Sequence, residues 1–261
     1  MKDIVFIHGM FQNAKSWTHW ERFFGERGYN CQALSWPLHE GDPASLKSDP
    51  PEGLGDLHLD EVLASITHEI LKMEKPIVIG HSVGGLIAQL LANKELASLA
   101  VPISSVAPNS MLDFDWNFIK NSALITNPLK GNQPFIMDKT SFHQSFANTL
   151  DEEAAALAWL EYATHDSRNI LRDCMGPAGQ IDLNKPHIPL LFVTGEEDHI
   201  IPPSLVQKNA EAYADKKSLV GFKTFPKRSH FICGEPGWEE VADYIYTWIK
   251  GQQTEPATTA I

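Results

Sequence analysis

The stretch that decides the fold of this chain is Pro76-Ile77-Val78-Ile79-Gly80-His81-Ser82-Val83-Gly84-Gly85-Leu86-Ile87-Ala88-Gln89-Leu90-Leu91-Ala92. It begins with a short apolar run that predicts a buried strand, and it ends in residues that favour a helix. Between the two lies the pattern G-x-S-x-G, centred on Ser82. A serine at such a strand-to-helix junction lies on a sharp turn that exposes its hydroxyl to a base and a substrate. The stretch therefore predicts a nucleophile at Ser82; the alternative is a glycine-rich turn that only joins a buried strand to a buried helix.

Short apolar runs bounded by turn residues recur along the chain. They are residues 3–8, 31–36, 76–80, 100–106, 189–194 and 219–225. Runs that are apolar on both faces, with helical patterns between them, are typical of strands in a parallel sheet that is covered by helices. We therefore expect an α/β fold with a mainly parallel sheet of about six strands and helices on both faces.

Three segments of this core have apolar residues at helical spacing, namely 16–24, 56–72 and 237–250. The residues 37–55 are rich in Pro and Gly and predict a solvated loop. The last residues, 251–261, are polar and small and include a proline. They predict a flexible tail.

The interval 108–187 interrupts the alternation of strands and helices. It contains no clear strand, and it has helical patterns near 149–164 and 167–174. Insertions at the carboxyl ends of parallel strands overhang the ligand crevice. We therefore interpret this interval as a helical cap, with residues 1–107 and 188–250 as the core; a helical layer packed elsewhere on the core is the alternative.

Composition excludes several classes of function. The 261 residues have a formal net charge of −12 and a pI of about 5.3, and an acidic surface repels phosphate backbones and anionic membranes. The sequence has no His-Glu-x-x-His, no Walker-type loop and no G-x-G-x-x-G after the first predicted strand. We therefore predict neither a metal nor another cofactor, and neither nucleic acid nor membrane as a partner.

Cysteine usage and the amino terminus indicate the compartment. The three cysteines, Cys31, Cys174 and Cys233, have no C-x-x-C spacing, which favours reduced thiols. The apolar run at 4–7 is too short for the core of a signal peptide, and no stretch has the length needed to span a bilayer. We expect a cytoplasmic protein.

A base and an acid follow predicted strands downstream of Ser82. A serine hydroxyl is a weak nucleophile until a base takes its proton and a carboxylate orients that base. Asp198 follows the run at 189–194, and His230 follows the run at 219–225. The carboxyl ends of parallel strands meet at one edge of the sheet, so these residues predict a Ser-Asp-His triad in that chain order.

Non-catalytic interpretations of Asp198 and His230 are the alternatives. A histidine in a loop is commonly a solvated side chain, and an acid in a loop is commonly a helix cap or an exposed charge. Glu196 and Glu197 compete with Asp198 for the role of the acid. Asp113 and Asp115, which follow the preceding predicted strand, are the next candidates.

The first predicted strand ends in Ile7-His8-Gly9-Met10-Phe11, which opens a loop at the same edge. Attack on a carbonyl requires donors that are aimed at the developing oxyanion. We predict an oxyanion hole formed by the backbone N–H groups of Met10 and Val83, with Phe11 as the alternative to Met10. Gly9 would allow close backbone approach, and His8 is expected to brace the loop without transferring protons.

The chain resembles the α/β-hydrolase superfamily in four segments, Phe6–Gly9, Gly80–Gly85, Gly195–Asp198 and Ser229–Phe231. The resemblance covers nearly the whole chain, up to about residue 250. The chain is similar to the short form seen in plant hydroxynitrile lyases, methyl esterases and many bacterial carboxylesterases. The resemblance implies a parallel sheet with a cap before the strand that carries the acid. One departure is that many relatives have Pro-Gly-x-Gly after the second strand, where this chain has Trp36-Pro37-Leu38-His39-Glu40-Gly41.

The predicted function is that of a serine hydrolase acting on carboxylic esters, including lactones, through an acyl-enzyme and without a cofactor. The Met, Phe and Trp content of the cap favours a small, apolar ester as substrate, although such residues are commonly core. The same catalytic groups also suit the hydrolysis of thioesters, small amides or C–C bonds, and perhydrolysis. Two different classes of function also stay open on this fold: a hydroxynitrile lyase with a cap lysine (Lys120 or Lys130), and a non-catalytic ligand receptor.

Overall fold

A single six-stranded parallel sheet forms the centre of the computed structural model, which describes residues 2–108 and 131–254. The strand order is β2-β1-β3-β4-β5-β6, and the sheet is open. The strands are β1 (Asp3–Ile7), β2 (Asn30–Leu34), β3 (Ile77–His81), β4 (Leu99–Ile103), β5 (Leu190–Gly195) and β6 (Val220–Phe225). Each predicted apolar run corresponds to one of these strands, so the predicted α/β class and the parallel sheet are confirmed.

Helices connect the strands and cover the sheet. In the described residues they are α1 (Thr18–Gly25), α2 (Pro43–Ser48), α3 (Leu59–Ile70), α4 (Val83–Asn93), α5 (Glu152–Tyr162), α6 (Arg168–Cys174), α7 (Pro203–Glu211) and α8 (Trp238–Thr254). Shorter helical turns occur at Ala14–Trp17, Leu54–Asp56, Lys139–Ser141, Phe142–Phe146 and Pro177–Gly179.

Two of the predicted boundaries are wrong. Helix α2 lies inside the predicted loop at 37–55, because the Asp42 side chain accepts the Ala44 N–H at 3.0 Å and Pro43 occupies the first helical position, where its missing N–H costs nothing. Helix α8 continues to Thr254, past the predicted start of the tail at 251, since polar residues do not by themselves end a helix.

Apolar side chains alternate between the two faces of the sheet, as the two-residue period of a strand requires. Val5 and Ile7 of β1 pack in one core together with helices α3, α4 and α7. Ile4 and Phe6 of the same strand pack in a second core together with α1 and α8. Helices therefore lie on both faces, as predicted, and the sheet is the wall between two apolar layers.

The strand order reverses between β1 and β3. From β1 the chain goes to β2 on one side, whereas β3 pairs with β1 on the other side. In open α/β sheets a crevice forms at the carboxyl ends of the strands where the order reverses, and ligands bind there. Ser82 follows β3 at this point, and the loop 8–12 follows β1.

The described part of the interval 108–187 is mainly helical, with α5 and α6 close to the two predicted helical patterns. In that part, the one pairing of extended residues is an isolated antiparallel bridge between Phe135 and Asp166. Its interpretation as a cap stays a prediction at this point. Four of the predicted candidates, Asp113, Asp115, Lys120 and Lys130, lie outside the described residues.

Gly80→Ala is expected to lower the free energy of unfolding by about 3 kcal/mol or more. A Cβ on Gly80 would lie 2.0 Å from the carbonyl oxygen of Gly84, which is backbone at the start of α4 and cannot rotate away. Urea unfolding followed by circular dichroism measures the change. Gly25→Ala is the control, because no atom lies within 4 Å of the added methyl group. Equal unfolding free energies for the two variants would contradict this account of the turn.

Candidate active site

Ser82 occupies a strained turn between β3 and α4. Its backbone angles, φ 56° and ψ −118°, are left-handed values that cost a non-glycine residue about 1–3 kcal/mol. Two hydrogen bonds fix the turn: the Ser82 N–H donates to the Ile103 carbonyl at 2.9 Å, and the Val106 N–H donates to the Ser82 carbonyl at 3.1 Å. Both partners belong to β4 or the loop behind it, so the neighbouring strand holds the serine in place.

The loop that follows β1 touches Ser82 directly. A Cβ built on Gly9 would lie 2.6 Å from the Cβ of Ser82 and 3.3 Å from its Oγ. Only glycine allows this approach of backbone to the serine. Met10, the predicted oxyanion donor, is the next residue and is buried.

Backbone N–H groups near Ser82 differ in whether they already have a hydrogen-bond acceptor. Val83 is the first residue of α4, and the first N–H groups of a helix have no acceptor within it. The Phe11 N–H, in contrast, donates to Oδ2 of Asp166 at 3.0 Å. Of the two candidates in the loop after β1, Phe11 is thus engaged by a carboxylate.

His230 and Asp198 are in contact, and both side chains are buried. The Nδ1–H of His230 donates to Oδ2 of Asp198 at 2.8 Å. The other carboxylate oxygen accepts the N–H groups of Ile200 at 2.9 Å and Ile201 at 2.8 Å. With the proton on Nδ1, the lone pair is on Nε2, which is the form that a general base requires.

The competing acids do not share this position. Glu196 and Glu197 precede Asp198 in the same loop but are exposed. Asp198 is therefore the acid of this loop whose carboxylate contacts the imidazole of His230.

His81 joins the Ser82 turn to the loop of His230. Its Nε2–H donates to the backbone carbonyl of His230 at 2.8 Å, and the two rings lie 4.6 Å apart. Burial lowers the pKa of His81 well below its usual value, so the ring is neutral. The Phe146 ring packs edge-on against His230 at 5.0 Å, which adds an apolar wall on that side.

His8 braces the loop after β1, as the sequence predicts. Its Nδ1–H donates to the Gly9 carbonyl at 2.8 Å, and its Nε2 accepts the N–H of Trp36 at 3.1 Å. Burial, reinforced by nearby His39, lowers the pKa of His8 to about 3. A neutral ring with both nitrogens bonded to backbone has no free atom with which to transfer a proton.

Glu235, which sequence reasoning does not identify, supports the His230 loop from below. This buried carboxylate accepts the N–H and the hydroxyl of Ser229, each at 3.0 Å, and the hydroxyl of Thr149. The Phe231 N–H donates to the Phe146 carbonyl at 2.8 Å. Phe146 of the interval 108–187 is thus bonded directly to Phe231, and Thr149 is connected to Ser229 through Glu235.

Metal-ligand clusters and membrane-spanning helices are both absent from the described ranges. Within 2–108 and 131–254, no group of three or more His, Cys, Asp or Glu side chains is arranged to hold a metal ion. Across the same ranges, no helix combines the length and the apolar character needed to cross a bilayer. The three cysteines are free thiols.

Comparison with known proteins supplies the family. A model described as the alpha/beta hydrolase family matches residues 4–244. The chain belongs to this family. No curated protein matches this chain, whereas many solved structures do.

Three solved structures illustrate the similarity of this hydrolase to known folds. They are polyneuridine aldehyde esterase (TM-score 0.67, 16% identity, 95% of this chain and 99% of that chain), the methylesterase MES16 from Arabidopsis (TM-score 0.71, 12% identity, 96% and 99%) and the monoacylglycerol lipase of Paleococcus ferrophilus (TM-score 0.68, 19% identity, 95% and 93%). At these identities the matches show a shared fold.

Proposed function

We propose that this hydrolase cleaves carboxylic esters through an acyl-enzyme on Ser82. The observation that carries the proposal is the buried hydrogen bond between His230 and Asp198. His81, the residue before Ser82, is hydrogen-bonded to the backbone of His230. Burial and a fixed tautomer are what a general base beside a serine needs. The esterases and the lipase with the same fold support an ester as substrate.

The proposed reaction has two halves. In the first, Ser82 Oγ attacks the ester carbonyl while His230 Nε2 takes its proton, and Asp198 stabilises the imidazolium that forms. The tetrahedral intermediate then collapses, and His230 protonates the departing alcohol. In the second half a water molecule, deprotonated by His230, attacks the acyl-enzyme and releases the carboxylic acid and the free Ser82 hydroxyl.

Met10 and Val83 are the proposed donors to the oxyanion. Val83 is the first residue of the helix that follows the serine, so its N–H has no helical acceptor. Met10 follows Gly9, whose backbone touches Ser82, while the alternative donor Phe11 is engaged by Asp166. Two backbone donors at the start of a helix and of a loop are the usual composition of such a site in this fold.

The contacts around His230 favour a small, apolar ester. Phe146 packs on the His230 ring, and Phe142 and Phe231 pack on Phe146 at 4.8 and 6.0 Å. We propose that residues 108–187 form a cap that contributes this apolar lining, because Thr149 and Phe146 bond to the loop of His230. Acyl transfer by these groups requires no cofactor. The acidic composition and free thiols support a cytoplasmic enzyme without nucleic acid or membrane partners.

A fluorophosphonate probe tests the proposal, since it labels a serine only when a base and an oxyanion hole activate it. We expect one adduct on the folded protein, mapped to Ser82 by peptide mass spectrometry, and none on the heat-denatured protein. Hydrolysis of p-nitrophenyl butyrate should stop in step with labelling. A folded protein that takes up no probe, or takes it up at another serine, would refute the proposed function.

A further inference from the structure

A second buried pair of carboxylate and imidazole lies beside the loop after β1. Oδ2 of Asp166 is 3.5 Å from Nε2 of His39, and the two side chains are 0% and 1% exposed. Asp166 comes from the interval between β4 and β5, and His39 from the segment that departs from the Pro-Gly-x-Gly of relatives. Neither residue belongs to the proposed triad, and burying an acid away from water requires a specific set of partners.

The partners of Asp166 include the loop of the proposed oxyanion hole. Its Oδ2 accepts the Phe11 N–H at 3.0 Å, and its Oδ1 accepts the Ser167 N–H at 2.7 Å. From the same segment, the Thr164 N–H donates to the Phe11 carbonyl at 3.0 Å, and the Thr164 hydroxyl donates to the Gln12 carbonyl at 3.3 Å. Phe11 is thus held at both its N–H and its C=O by one short stretch of chain.

The backbone of Phe11 needs such support. Its φ of 65° is left-handed, a conformation that is unfavourable for a residue with a bulky side chain. The hydrogen bond to Asp166 fixes the peptide plane between Met10 and Phe11. That plane limits the rotation of Met10, and therefore the direction of the Met10 N–H. Hydrogen bonds to a charged acceptor are stronger than those to a neutral one, so the charge of Asp166 matters for holding this turn.

The surroundings of His39 favour the protonated form of its ring. Its Nδ1 lies 3.0 Å from the Pro37 carbonyl, which can only accept, so Nδ1 carries a proton. Its Nε2 lies 3.5 Å from Oδ2 of Asp166, close enough for a protonated ring to form an ion pair with the carboxylate, although no direct hydrogen bond joins the two atoms. Burial opposes the charge, but Asp166, with Glu40 adding a smaller effect, outweighs it and raises the pKa of His39. The ring of His8, 5.6 Å away, is neutral and adds no repulsion.

We propose that Asp166 and His39 are positioning residues: their ion pair holds Phe11 in its left-handed turn and thereby aims the Met10 N–H at the substrate carbonyl oxygen. The inference rests on the proposed ester hydrolysis. The pair adds a charged support next to one donor of the oxyanion hole, and its two residues, His39 and Asp166, are far apart in the sequence.

Asp166→Asn is expected to lower kcat for p-nitrophenyl butyrate by about 30- to 100-fold, somewhat less than complete loss of one oxyanion donor, which costs about 10²–10³. An amide presents a weaker, neutral acceptor to Phe11 and no charge to His39. KM should change less than about 3-fold, because the ground-state ester makes weaker use of the donor than the transition state does. His39→Gln, which leaves the carboxylate in place, should lower kcat by about 10-fold on the same reasoning.

Affinity for n-butylboronic acid separates positioning from a merely structural role. Its tetrahedral adduct with Ser82 places an oxygen where the oxyanion forms, so its Ki should rise in Asp166→Asn by the same factor as kcat/KM falls. Asp173→Asn is the matched control. Asp173, on α6, also pairs with a histidine and accepts a backbone N–H: its Oδ2 lies 2.8 Å from Nδ1 of His58 and accepts the Leu59 N–H at 3.0 Å. It does not contact Phe11, and its substitution should leave kcat and Ki within about 2-fold of wild type.

The outcomes separate this inference from the proposed function. If the wild type hydrolyses the ester but both folded variants keep wild-type kcat and Ki, the positioning role is refuted. If Asp166→Asn does not fold, His39→Gln alone decides, with an unchanged kcat counting against the inference. If the wild type neither hydrolyses the ester nor takes the fluorophosphonate on Ser82, the proposed function fails, and the inference fails with it.

Discussion

Ser82→Ala should lower kcat for ester hydrolysis by about 10⁵- to 10⁶-fold, the loss seen when a serine nucleophile is removed from an intact triad. The alanine variant keeps the base, the acid and the oxyanion donors, but no acyl-enzyme can form. A residue with a Cβ still occupies the left-handed turn, so the turn itself changes little. The remaining rate is expected to come from binding and from the oxyanion donors acting on water.

Ser104→Ala is the matched control for this loss. Ser104 is also a buried serine with a left-handed backbone (φ 42°), and it follows β4 at the same edge of the sheet. Its substitution should change kcat by less than about 3-fold if the large effect belongs to the nucleophile. Turnover of p-nitrophenyl butyrate and thermal melting of both variants provide the comparison. Retention of more than about a hundredth of wild-type kcat in Ser82→Ala would exclude the serine mechanism.

Asp198→Asn is expected to reduce kcat by about 10⁴-fold through the tautomer of His230. The Ile200 and Ile201 N–H groups both donate to Oδ1 of Asp198. In the variant they require the amide oxygen there, which turns the amide NH₂ toward Nδ1 of His230. The ring must then accept at Nδ1 and carry its proton on Nε2, so it cannot take the proton of Ser82.

Two measurements check this second prediction. Steady-state kinetics give the loss in kcat, and ¹⁵N NMR of the imidazole reports which ring nitrogen is protonated. Glu197→Gln, in the same loop but exposed, should leave kcat within about 2-fold of wild type. A loss below about 10-fold in Asp198→Asn, or a proton that stays on Nδ1, would show that Asp198 does not orient the base.

The sheet and the contact between Asp198 and His230 are predictable because their signals are local. Each strand is an apolar run of its own, and the glycines around Ser82 mark one turn. Once the strands are known, topology places Ser82, Asp198 and His230 at one edge. Helix α2 is not predicted because a helix of six residues, capped by Asp42 and beginning at Pro43, is too short to show an amphipathic period.

The pair of Asp166 and His39 could not be predicted from the sequence. Asp166 lies among polar residues, His165 to Arg168, which suggest a solvated loop. Its burial depends on the bridge to Phe135 and on the Phe11 N–H, and both partners are far away along the chain. Glu235 is similar, because its partner Thr149 lies 86 residues away along the chain. Local polarity says nothing about which charges the tertiary structure will enclose.

The hydrogen bond from His81 to the His230 carbonyl has a consequence for engineering this enzyme. Position 81 is the first x of the G-x-S-x-G pattern and directly precedes the serine, so it is an obvious place to alter the shape of the turn. Its ring nevertheless supports the backbone that carries the base. A substitution there would move two reacting groups relative to each other, so libraries that randomise residue 81 should vary the residues next to His230 at the same time.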